Sequence, residues 1–224
     1  MIGILRRTPL FQNREEAGRQ LARKLLHLKD KEPVVLGLPR GGIPVALEVA
    51  RALEAPLDLL LVRKIGVPGH SELAAGAVVD GRDPQTVLNS DIVRVCNVPD
   101  SYIEQECRRQ IAEIERRRRL YLGARPPPEI AGRTVIVVDD GIATGATVRA
   151  GLRSLRQQQA GRRVLAVPLA PPEAVSLLEK EADEVVVLAA PHEFGAISLY
   201  YRDFHQLEDQ EVIALLAQSP RRLS

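Results

Sequence analysis

Residues 139–147 of the 224-residue chain read Asp-Asp-Gly-Ile-Ala-Thr-Gly-Ala-Thr: two adjacent carboxylates, then a loop of small and hydroxyl residues, with Val135-Ile136-Val137-Val138 directly before them. The apolar run predicts a buried strand, and the small-residue loop predicts a turn from that strand into a helix. Backbone N–H groups of Ala143, Thr144, Gly145, Ala146 and Thr147, with the two threonine hydroxyls, would form an anion nest at the helix N-terminus, suited to a phosphate. Two carboxylates beside that nest would repel a phosphate. They suit ligand hydroxyls, as hydrogen-bond acceptors, or a metal ion held through water. A ligand with a phosphate at one end and a diol a few ångströms away satisfies both halves, and ribose 5-phosphate is such a ligand. A P-loop would need a lysine where Ala146 stands, and no GxGxxG follows any predicted strand. A receiver-type acidic pair would leave the hydroxyl-rich loop unexplained.

Upstream, Leu36-Gly37-Leu38-Pro39-Arg40-Gly41-Gly42 forms the same kind of junction, an apolar run that turns into a helix. Gly41 and Gly42 would let the backbone approach an anion closely, and Arg40 would add charge. Arg63 and Lys64 follow a further apolar run, and Arg116-Arg117-Arg118-Arg119 is the densest cationic stretch. That stretch ends a helical pattern whose first half carries Glu104 and Glu106, an arrangement that complements the helix dipole. Its other uses would be a nucleic-acid face or a subunit contact. His192 and His205 read as ordinary hydrogen-bonded histidines.

The elements that position these residues follow from hydrophobic periodicity. Arg14–Lys29 places Ala17, Leu21, Leu25 and Leu28 at helical spacing among charges. Val34–Leu38 reads as a strand, Ile43–Leu53 as a helix, and Leu57–Val62 as the next buried strand, with Arg63 and Lys64 at its C-terminal end. Residues 65–98, broken by Gly66, Pro68, Gly69, Gly76 and Gly81, predict a mobile loop or a small hairpin. Asp100–Leu122 is a long charged helix, stopped by Gly123 and Pro126-Pro127-Pro128. Strands at Val135–Val138, Val164–Val167 and Val185–Leu188 then alternate with helices from about 145 to 159 and about 172 to 180. This alternation predicts an α/β fold, a Rossmann-like parallel sheet flanked by helices, with every strand's C-terminal end at one edge. Open α/β sheets bind ligands at that edge. The proline triplet is too short for a linker, so residues 1–224 read as a single domain with a core at about 34–190 and a small hood at about 191–207.

Charge is nearly balanced, 31 Lys+Arg against 29 Asp+Glu, which excludes a broadly basic nucleic-acid binder. A chain that is 45% hydrophobic and 27% charged is neither disordered nor fibrous. Cys96 and Cys107 make neither a disulfide framework nor a CxxC metal pair. The segment Met1–Arg7 turns polar before a signal-peptide stretch develops, and no apolar run approaches the roughly 20 residues of a membrane span. A soluble, cytoplasmic protein without membrane contact is expected. Of only seven aromatic residues, four (Phe194, Tyr200, Tyr201 and Phe204) cluster after the last predicted strand.

The Val135–Thr147 segment resembles the signature of the type I phosphoribosyltransferases, which use 5-phosphoribosyl 1-pyrophosphate (PRPP) with Mg²⁺, and the resemblance runs from about Val34 to Leu188. It implies that Asp139 and Asp140 bind the ribose 2′- and 3′-hydroxyls and that Ala143, Thr144, Gly145, Ala146 and Thr147 bind the 5′-phosphate. It implies too that Arg40, Gly41 and Gly42 form the pyrophosphate turn, often with a strained peptide bond. Arg63 and Lys64 would meet the pyrophosphate oxygens as the leaving group gains charge. Asp139, Asp140, Lys64 and Arg40 are thus expected to carry catalysis, with Mg²⁺ arriving on PRPP and touching Asp139 or Asp140 through water. Residues 66–81, including His70, Ser71 and Glu72, resemble the flexible loop that closes over the site. Phe194 first, then Tyr200 and Tyr201, are the candidates for stacking on an acceptor base. A homodimer is expected.

The departures limit the choice of acceptor. Ala143 stands where hypoxanthine-guanine enzymes carry an aspartate, Arg153 where the acidic residue of adenine enzymes is sought, and Lys64 is alone where the orotate enzymes' loop has several lysines. The chain looks most like uncharacterised bacterial members of the family. The expected reaction is transfer of a phosphoribosyl group from PRPP to a small-molecule nitrogen nucleophile, with inversion at C1. The alternatives are a PRPP-binding regulator without catalysis and a hydrolase of PRPP or a nucleotide.

Overall fold

The computed structural model describes residues 9–220, with the side chains of Ser71 and Glu72 outside the description. The reading of Met1–Arg7 therefore lies outside the described residues. The chain opens with α1 (Arg14–Leu25), whose N-cap Asn13 accepts the Glu16 N–H, with acids in the first turn and bases in the last. It continues through β1 (Val34–Gly37), α2 (Gly42–Leu53) and β2 (Leu57–Leu59). Next come β3 (Val62–Val67), β4 (His70–Val79), β5 (Gln85–Leu88), α3 (Ser90–Val95) and α4 (Asp100–Leu122). The second half is β6 (Thr134–Val138), α5 (Ala146–Gln157), β7 (Arg162–Leu169), α6 (Pro172–Leu178), β8 (Glu184–Ala189) and α7 (Asp209–Ala217).

Five strands form the expected parallel sheet, in the order β2-β1-β6-β7-β8. Strand alternation splits the core into two layers. Val35, Ile136, Val138 and Ala166 pack on one face with α1 and α2 residues such as Leu25 and Leu47. Leu36, Val135, Val137 and Val167 pack on the other with Leu152 and Leu155 of α5. From β1 the chain winds outward to β2, and from β6 it winds the opposite way to β7 and β8, so the switch point lies between β1 and β6. Gly37 is level with Val138 in that pairing. Both ligand-type turns therefore emerge side by side at the crevice where such sheets bind ligands.

Two elements differ from the sequence reading. Leu57–Val62 is not one strand: β2 ends at Leu59, and Arg63 and Lys64 lie inside β3, within a separate antiparallel sheet ordered β3-β4-β5. The buried Asp80 carboxylate accepts the Leu61 N–H at 2.9 Å, drawing the backbone off the parallel ladder. An unbroken apolar run carries no mark of that break, because both faces are buried on each side of it. Of the two expectations for residues 65–98, the hairpin is found, enlarged by β5 and α3. Gly76 is needed there, since a Cβ would lie 2.6 Å from the Val87 carbonyl oxygen of the paired strand.

The arginine run on α4 is paired throughout. Arg116 and Arg117 bind Glu113, and Arg119 lies 3.6 Å from Glu115. Arg118 turns inward to Asp58 at 2.8 Å and Asp80 at 3.1 Å, a buried cluster joining α4 to both sheets. Among the described residues no helix is long and apolar enough to cross a membrane.

Candidate active site

Asp139 and Asp140 leave the end of β6 at the crevice, with the Asp140 N–H donating to Asp139 Oδ1 at 2.9 Å. Arg14, at the start of α1, is buried and donates from Nε to Asp140 Oδ2 at 2.8 Å. Its Nη1 donates to the His205 carbonyl at 3.0 Å, and its guanidinium lies 3.7 Å over the Phe204 ring. Tyr201 Oη donates to the Asp140 carbonyl at 2.6 Å. Burial, then the neighbouring Asp140 charge, pushes the Asp139 carboxyl well above the usual carboxylate range. Burial also raises Asp140, but the Arg14 hydrogen bond and charge oppose it. The charge of the pair therefore rests on Asp140, and a proton is most readily held on Asp139.

The glycines of the upstream turn serve this pair directly. A Cβ on Gly41 would run into the Asp140 carboxylate, and one on Gly42 would lie 2.8 Å from the Val138 carbonyl oxygen. The Gly42 N–H is committed to the Leu38 carbonyl at 2.9 Å, so Gly42 acts by letting α2 approach β6, not by offering its N–H to an anion. The peptide between Pro39 and Arg40 is cis. Arg40 is partly exposed, with Asp209 Oδ1 3.7 Å from its Nη1. That carboxylate also accepts from Tyr121 Oη at 2.7 Å.

On the other side of the acids, Ala143, Thr144, Ala146 and Thr147 are exposed around Gly145, whose φ of 75° favours glycine. No side chain caps α5, so its first-turn N–H groups face outward beside the two hydroxyls. The loop is anchored by the Ile142 N–H on the Leu169 carbonyl at 2.9 Å. Lys64 lines the same cavity as Thr144 and Thr147. Its neighbour Arg63 points to the opposite face of β3 and donates to Gln110 Oε1 on α4 at 3.0 Å. Strand alternation thus brings Lys64 to the loop at 143–147 and takes Arg63 away from it.

After β8 the chain forms a 3-10 turn, Ile197–Tyr200, and runs alongside residues 10–12, with Phe11 bridged to Tyr201. Tyr200 and Tyr201 are each 4% exposed, packed with Phe11 and Leu169. Neither ring offers a face for an acceptor base, because Tyr200 donates to the Glu193 carbonyl and Tyr201 supports Asp140. Phe194 is half-buried and stacks on Tyr200 with ring centroids 5.5 Å apart, which leaves it less enclosed than either tyrosine. His70, His192 and His205 are exposed. Sequence reasoning missed Arg14: at the polar start of an amphipathic helix, nothing local distinguishes it from a solvated arginine.

The described residues contain no group of three His, Cys, Asp or Glu side chains that could hold a metal ion. An ion brought in by a diphosphate would need only one or two protein carboxylates, which Asp139 and Asp140 would supply.

A crevice at the switch of a parallel sheet, with an acidic pair between two phosphate-type turns, places the fold among the type I phosphoribosyltransferases. The chain belongs to that family: the family model described as "Phosphoribosyl transferase domain" matches residues 9–202. It is 47% identical over 212 residues to Rv0571c and to MT0597 of two Mycobacterium tuberculosis strains, H37Rv and CDC 1551, both named provisionally as phosphoribosyl transferases. Those alignments cover 95% of this chain but 47% of the relatives, so the chain spans about half the length of the curated relatives it matches. The crystal structure of TT1426 from Thermus thermophilus is similar throughout, with a TM-score of 0.82 at 45% identity over 93% of this chain and 98% of that one.

Proposed function

We propose that the chain transfers a phosphoribosyl group from PRPP to a nitrogen nucleophile with inversion at C1. The observation that carries this reading is the acidic pair, held by Arg14 and Gly41, opening beside an uncapped anion loop at the β1/β6 crevice. Asp139 and Asp140 accept from the ribose hydroxyls, and residues 143–147 hold the 5′-phosphate. Arg40, on the upstream turn, faces the pyrophosphate, while Lys64 lies on the 5′-phosphate side with Thr144 and Thr147. The acceptor nitrogen attacks C1 from the side opposite the pyrophosphate, the C1–O bond breaks with its electron pair leaving on the pyrophosphate oxygen, and the acceptor's N–H proton passes to solvent. Cations placed where that charge develops lower the barrier, because they gain more in the transition state than in the ground state. Mg²⁺, when bound, supplies further charge neutralisation on the diphosphate. Phe194, less enclosed than either tyrosine, offers a ring to a flat acceptor.

Regulation through a nucleic-acid face on α4 is less well supported, because each arginine of the run has an internal carboxylate partner. The decisive experiment is calorimetric titration of PRPP with Mg²⁺ into the protein and into Asp139→Asn/Asp140→Asn. Binding lost in the double variant is the expected result; no binding, or equal binding by both, refutes the reading. Pyrophosphate release measured with and without a panel of bases separates transfer from hydrolysis.

A further inference from the structure

The antiparallel sheet and the first half of α5 do not close on one another. Between them lies a cavity of about 240 Å³ whose polar lining is Lys64, Asn89, Thr144, Thr147, Arg149 and Arg153. Short apolar residues such as Ala77 and Val87 back it. Among the described side chains three cations and no carboxylate line this space, so their field favours an anion. Arg149 and Arg153 sit one turn apart on α5 and so share a face. Arg153 is held by Glu181, its Nε 2.7 Å from Oε1. The side chains of Lys64 and Arg149 have no hydrogen bond or ion pair among the described residues, which leaves both cations available to a ligand.

Two features decide what fits. Thr144 and Thr147 belong to the phosphate loop as well as to this cavity, so the two spaces are continuous. At about 240 Å³ the cavity also falls below the roughly 300–1,000 Å³ of pockets that enclose a whole small-molecule ligand. It therefore suits part of a ligand anchored next door. We infer that it is a second anion subsite, which takes a further phosphate attached to the 5′-phosphate, so that the site accepts ribose 5-diphosphate esters, the class that includes ADP-ribose. This rests on the reading that residues 143–147 hold a ribose 5′-phosphate.

The test is calorimetric titration of the full chain with ribose 5-phosphate and, separately, with ADP-ribose. A phosphate meeting Arg149 and Lys64 should make ADP-ribose bind about tenfold more tightly than ribose 5-phosphate. Arg149→Ala, and Arg149→Gln as a variant that keeps the length and helix preference of the side chain, should bring that ratio close to one. Equal affinities in the unaltered protein, with ribose 5-phosphate bound, overturn the subsite alone. A preference that survives in both variants also overturns it, since the second phosphate or the adenosine would then be held elsewhere. Failure of both ligands to bind overturns the underlying ribose 5-phosphate reading together with the subsite.

Discussion

Replacing Arg14 with methionine should reveal how strongly the acidic pair depends on the N-terminal helix. Methionine keeps an unbranched chain over Phe204 but removes the donors to Asp140 and to the His205 carbonyl. Asp140 would remain buried with its charge uncompensated. Breaking a buried ion pair from one side costs about 3–5 kcal/mol. For a domain of this size that corresponds to a fall in Tm of roughly 6–20 °C, at about 2–4 °C per kcal/mol. The loss should shrink with decreasing pH: Arg14 lowers the proton affinity of Asp140, so in its absence the carboxyl takes up a proton at higher pH and no longer needs a cation. Denaturant unfolding of Arg14→Met, Asp140→Asn and the double variant, at neutral and acidic pH, measures both effects. The Arg14→Met cost should be smaller in the Asp140→Asn background by at least about 1 kcal/mol. A single-variant loss below about 1 kcal/mol at neutral pH, or strict additivity in the cycle, would refute the argument that Arg14 holds the charge of the pair.

Two further outcomes follow from the same packing. Gly41→Ala should displace the Asp140 carboxylate and weaken ribose 5-phosphate binding at least about tenfold, a loss of some 1.4 kcal/mol; retained affinity in a titration would show that the turn does not brace the acids. Burial raises the Asp80 carboxyl from 3.8 to about 7 against the opposing pull of Arg118, so its protonated form is favoured in the folded state. Its contribution to stability is therefore complete below about pH 4 and lost as pH rises through about 7. Unfolding free energies of the protein relative to Asp80→Asn should fall by up to about 4 kcal/mol across that window, and a difference that grows with pH would contradict this.

Legibility in the sequence followed locality. The strand Val135–Val138, its acidic pair and the loop into α5 are contiguous, so residue order alone carried the candidate anion nest and the acids proposed to bind a diol. The succession of strands and helices along the chain, and hence a parallel sheet, was equally plain from the alternation of apolar runs. The break after Leu59 was not, because Leu60 and Leu61 are buried like the residues before them and the signal for the bend comes from Asp80. The four clustered aromatics were visible as a group, but not their division of labour: two are core, one covers Arg14, and one is half-buried against Tyr200.

By itself, then, the sequence determined the class of fold and suggested the ligand chemistry proposed for its central loop, since both are written in short-range periodicity and in residue types at fixed spacing. Only the tertiary structure decided which side chains complete the site. Arg14 reaches Asp140 across 126 positions and Tyr201 supports the same residue from 61 positions away. Strand pleating sends Lys64 to the loop at 143–147 and Arg63 to α4. Periodicity reports whether a residue is buried; the partner that a buried charge finds is set by how distant elements pack.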